Sequence, residues 1–100
     1  MNAPVLPTRR KPLTQRQRVK MHDLHGGICV VCLQPIPAGE RFIDEHVIPL
    51  QLGGSNDASN RGPAHIQCAK IKTARDQKMI AKAFRVRAKH LGIKKKKKKS

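Results

Sequence analysis

The longest regular pattern in the chain lies toward its C-terminal end. There Ile71, Ala74, Ile80, Ala83, Phe84 and Leu91 recur among lysines and arginines. Apolar residues at such intervals share one side of a helix, so a helix is predicted from about Gln67 to His90, partly apolar on one face and basic elsewhere. A second helix is marked by its ends. Thr14 followed by Gln17 fits a capping box, in which each residue satisfies a backbone N–H near the other. The helix runs to Leu24 or His25 and stops at Gly26-Gly27, and Arg16, Arg18 and Lys20 make its outer face basic. Between the helices the pattern shortens. Ile28 to Leu33 reads as a short hairpin, residues 34–39 as a turn-rich connection, and Phe42 to Ile48 as a strand stopped by Pro49. Residues 53–60 form a polar loop rich in glycine and asparagine.

Composition limits how these elements can be held together. Residues 1–13, with Pro4, Pro7, Arg9-Arg10 and Pro12, read as a loose, disordered basic arm. Residues 93–100 form a disordered tail containing six consecutive lysines, which repel one another. The folded domain is placed at residues 14–92. A domain of about 80 residues with two Phe and no Trp or Tyr has little core and calls for a staple such as a metal. The net charge of +16 points to a polyanion, with nucleic acid first through phosphate neutralisation. A membrane surface is the competing partner, but no stretch is long and apolar enough to span a bilayer.

Cysteine placement supplies the staple. Cys29-Val-Val-Cys32 and His65-Ile-Gln-Cys68 repeat one gap, the spacing at which a tight turn brings two side chains to one tetrahedral zinc. Three cysteines cannot close into a disulfide framework among themselves. With His65 they make one complete zinc set, expected in the cytoplasm. Between the pairs stands Asp44-Glu45-His46, acids and an imidazole that a structural zinc does not need. Gly53-Gly54 reads as a plain turn, and His22 and His25 as surface or helix-end residues.

Cys29-x-x-Cys32, Asp44-Glu45-His46-Val47-Ile48-Pro49-Leu50, Gly53-Gly54-Ser55-Asn56-Asp57, Asn60, His65-x-x-Cys68 and Lys72-Thr73 together resemble the HNH endonucleases, in particular the small zinc-containing members of bacteriophages and prophages. The likeness spans roughly residues 15–90. It implies an α+β domain with a β-β-α-metal core and flanking helices, cutting or nicking DNA with one catalytic divalent ion (Mg, Mn, Ni or Zn) beside the structural zinc. It makes His46 the general base, Glu45 a ligand of the catalytic metal and Asn60 the residue that steadies the loop orienting the base. The products implied are a 3′-hydroxyl and a 5′-phosphate. It also implies duplex or branched DNA as substrate and a phage terminase as partner, in the bacterial host cytoplasm.

One position departs from the resemblance. The family's last metal-binding histidine follows the final zinc ligand, and here that residue is Ala69. Methyl cannot bind a metal, so the chain is expected to bind DNA but to cut it slowly or not at all. An engineered, silenced form and a natural rearrangement both give this residue; the intact surroundings favour the first. Asp44, two residues before His46 and on its side of an ideal strand, is a possible replacement ligand. Lys72 and Thr73, a turn beyond Ala69, face the same way but are weak donors to a metal. Lys72, Arg75, Lys94, Lys95 and Lys96 are assigned to the DNA backbone. The alternative function is a noncatalytic zinc-containing DNA-binding or packaging accessory protein.

Overall fold

The computed structural model describes residues 8–93; the lysine run, with Lys94, Lys95 and Lys96, lies outside them. It is a small α+β structure of two helices and one two-stranded antiparallel sheet. Helix α1 spans Gln15–Leu24, and its capping box forms: the Thr14 side chain accepts from the Gln17 N–H while the Gln17 side chain accepts from the Thr14 N–H. Gly26 and Gly27 follow with positive φ, so the helix stop falls where the glycine pair lies.

Strand β1 spans Phe42–His46 and β2 spans Arg61–His65, paired from Phe42↔His65 to His46↔Arg61. β1 ends two residues before the expected Ile48. Beyond His46 its partner becomes Asn60, whose backbone carbonyl accepts from Val47 N and whose side-chain oxygen accepts from Ile48 N. The second strand has no sequence signal of its own. Arg-Gly-Pro-Ala-His carries the two residues least suited to a ladder, yet each has a reason here. A Cβ on Gly62 would lie 2.1 Å from a Val30 methyl, and the Pro63 carbonyl accepts from Val30 N at 2.9 Å. This is how the hairpin at Cys29 is tied to the sheet.

Helix α2 spans Ile66–His90 directly after β2. Its first turns pack on the sheet through Ala69, which is 3 % exposed and sits in a core cluster with Cys29, Ile36 and Ala64. The rest of the expected apolar face is not buried: Ile71, Phe84 and Leu91 are 59 %, 71 % and 60 % exposed. A 25-residue helix is about 37 Å long, more than this small core can cover. The expected loose arm is likewise ordered over its described part. Thr8 N donates to Leu50 O, Lys11 N to Asn56 Oδ1, and the Arg9 carbonyl accepts from Asn56 Nδ2.

Candidate functional site

The four residues predicted to bind zinc meet. Cys29 and Cys32 come from the hairpin, His65 from the end of β2 and Cys68 from the first turn of α2, and their donor atoms all lie within 4.8 Å of one another. Among the described residues this is the one group of three or more Cys, His, Asp or Glu side chains gathered so closely. His65 Nε2 lies 3.0 Å from the Pro35 carbonyl, an acceptor only, so it is the protonated nitrogen. Nδ1 is left free to face the sulfurs, at 3.3 Å from Cys32 Sγ and 3.7 Å from Cys68 Sγ. Burial pushes the Cys29 thiol up, but the N–H groups of Cys32, His65 and Val31 outweigh it and hold the pKa at about 6. Burial, then the neighbouring sulfurs of Cys32 and Cys29, push Cys68 up to about 11. Thiolates crowded in this way need a cation to ionise together, and the donor set suits a tetrahedral soft-ligand metal.

The second cluster lies where the sheet meets the middle of α2, around a cavity of ≈350 Å³ lined by Arg10, Glu45, His46, Pro49, Thr73 and Asp76 among others. His46 is 3 % exposed. Its Nε2 lies 3.2 Å from Asn56 Oδ1. That amide is oriented twice over, because Oδ1 accepts from Lys11 N and Nδ2 donates to the Arg9 carbonyl. The imidazole must therefore donate through Nε2, leaving the Nδ1 lone pair buried and without a partner. Burial holds the His46 pKa below the ordinary histidine value, with the Asn56 hydrogen bond opposing the shift.

Asn60 does not contact the His46 ring but bonds the loop between them. It accepts from Ile48 N at 2.8 Å and donates to Ile48 O at 3.0 Å and Ser55 O at 2.9 Å, closing the loop that carries Asn56. Gly54 is more than a plain turn residue: a Cβ there would lie 2.0 Å from Ile48 O. Asn56, to which the sequence assigns no role, is the residue that touches the His46 ring.

Asp44, considered as a replacement ligand, is turned the other way. It is buried and paired with Arg61, whose Nε donates to Asp44 Oδ1 at 3.1 Å and whose Nη2 donates to Oδ2. The same guanidinium donates to the carbonyls of Asn56 and Lys11. Strand alternation accounts for this: Asp44 and His46 share the buried face, and Glu45 projects to the other side. Glu45 meets α2, with Oε2 3.5 Å from Lys72 Nζ. Its pKa is raised, chiefly by burial and against the pull of Lys72.

Lys72 is not displayed for a DNA backbone. Its ammonium lies inside, 2.9 Å from the His46 carbonyl and 2.5 Å from Asp76 Oδ2 as well as near Glu45. Arg75 is exposed. Ala69 does not line the cavity; its methyl is part of the core. The carboxylates of Glu45 and Asp76 and the carbonyl of His46 are all hard oxygen donors, so in kind they fit a divalent cation. Lys72 now sits among them.

The family model described as HNH endonuclease matches residues 29–75, from the first cysteine to the helix turn beyond Lys72. No curated protein and no solved structure matches the chain. Over residues 29–75, just under half of its length, the chain is thus similar to the HNH endonuclease family.

Proposed function

We propose that the protein is a metal-dependent DNA endonuclease with His46 as general base. The observation that carries this reading is the state of His46: Nε2–H is held by Asn56 and the Nδ1 lone pair has no partner, beside Glu45 at the cavity. A neutral imidazole fixed in one tautomer, with a depressed pKa, is ready to accept a proton near neutral pH. His46 Nδ1 takes the proton of the attacking water. The water oxygen bonds to phosphorus, the bond to the 3′ oxygen breaks, and solvent protonates that oxygen, leaving a 3′-hydroxyl and a 5′-phosphate. Asn56 keeps Nε2 protonated throughout, and Asn60 keeps Asn56 in place. The positive charge of Arg10, which lines the cavity, favours entry of a phosphodiester. A divalent cation held by Glu45 supplies stabilisation of the charge that builds on the phosphoryl and leaving oxygens.

The Cys29, Cys32, His65 and Cys68 group holds a structural zinc in this reading. Arg75 and the lysines at 94–96 bind the backbone of duplex or branched DNA. Without the family's histidine at residue 69, cleavage is slow. The setting we propose is phage DNA packaging in the host cytoplasm, beside a terminase. Supercoiled plasmid incubated with the zinc-loaded protein and magnesium, manganese or nickel is expected to be nicked slowly, and not at all by His46→Ala. The internal position of Lys72 among the acidic groups favours a second reading, a noncatalytic DNA-binding accessory protein, for which every metal leaves the plasmid intact.

A further inference from the structure

We infer that Asp76 stands in for the family's missing histidine and, with Glu45, forms a binding site for a hard divalent cation such as Mn²⁺ or Mg²⁺. Residues 69 and 76 are seven apart, so at 100° per residue they lie within about 20° of one another around the helix, two turns along it. Asp76 is on the sheet-facing side of α2, further from the zinc and level with the cavity it shares with Glu45 and His46.

An Asp four residues after a Lys is a common helical ion pair, but such a pair normally keeps its ammonium in water. Here the Lys72 side chain is 13 % exposed, and its ammonium contacts Asp76, Glu45 and the His46 carbonyl together. Three oxygens from two elements have been arranged around one positive charge. His46, which lines the same cavity, supplies a second sign of an incomplete site: its buried Nδ1 has no protein partner and needs a ligand or its solvent to satisfy it. Lysine is a flexible stem, able to withdraw when a doubly charged ion competes for the same oxygens. Moving from residue 69 to residue 76 also replaces an imidazole by a carboxylate, which shifts preference from zinc and nickel toward magnesium and manganese.

The site rests on the nuclease reading for its purpose, but its existence is testable without cleavage. Mn²⁺ added to the zinc-loaded full chain is followed by electron paramagnetic resonance of the free ion, with zinc content and far-UV circular dichroism confirming the fold. One Mn²⁺ is expected to bind beyond the zinc. Asp76→Asn and Glu45→Gln are each expected to weaken it by about tenfold or more, and Lys72→Met, which removes the competing ammonium, to tighten it. Wild-type affinity in folded Asp76→Asn overturns the proposal, as does a wild type that binds no second ion or a Lys72→Met chain that binds none. Mn²⁺ binding with this mutational pattern and no nicking of DNA supports the site while rejecting the nuclease.

Discussion

His46 can serve as a base only while its ring is held in one tautomer, and a single side chain does that. Asn56→Ala removes the acceptor from Nε2 and two of the hydrogen bonds that hold the arm, so nicking should fall while zinc content stays unchanged. His46→Ala should lower nicking by about 10²–10⁴-fold with DNA affinity retained. Its depressed pKa also fixes a sign. The unfolded chain takes up a proton near the ordinary histidine value and the folded chain resists it, so the unfolded state binds more protons as pH falls. Stability is full above about 6.5 and declines below it. Comparison isolates the effect: the loss of melting temperature between pH 7.5 and 5.5 should be smaller in His46→Gln than in the wild type. Ala69 makes the opposite point about restoring a motif. It is a core residue, and Ala69→His should cost about 1–3 kcal/mol of overpacking, measured by denaturant unfolding of the zinc-loaded protein.

Among the elements, those with their own local chemistry were legible. The capping box and glycine stop set α1, the basic apolar rhythm set α2, and two matched pairs of Cys and His set the Cys/His cluster. β2 was not, because Arg61–His65 is a strand only in the presence of its partners: Val30 leaves no room for a side chain at Gly62, and the knuckle takes the Pro63 carbonyl. Gly62→Ala should therefore destabilise the fold by about 1–3 kcal/mol although alanine suits strands better than glycine. Lys72 was legible as a basic helix residue and misplaced for that reason. Its inward turn depends on Glu45 and the His46 carbonyl, which the sequence holds 27 and 26 residues away. The Cys29, Cys32, His65 and Cys68 cluster joins the hairpin, the end of β2 and the start of α2; with zinc held there, as proposed, a chelator should unfold the domain, seen as loss of helical circular dichroism and its return on adding zinc.

At the scale of the whole molecule, charge and chemistry are divided in space. The acidic cluster of Glu45 and Asp76 is a small negative island in a chain of net charge +16, and α2 carries exposed Arg75, Lys78, Lys82 and Arg85 outward from it. In the proposed function these, with the lysines at 94–99, set affinity for DNA without reading sequence, so deleting 94–99 should weaken binding evenly across sequences and lower its dependence on salt. The account turns on one claim, that His46 removes a proton at a phosphodiester. Zinc-loaded wild type and His46→Ala, matched for zinc content and DNA affinity, are compared on supercoiled plasmid with Mn²⁺. Slow nicking by the wild type, absent in His46→Ala, is predicted; equal nicking by both, or an inert wild type with magnesium, manganese and nickel alike, contradicts it.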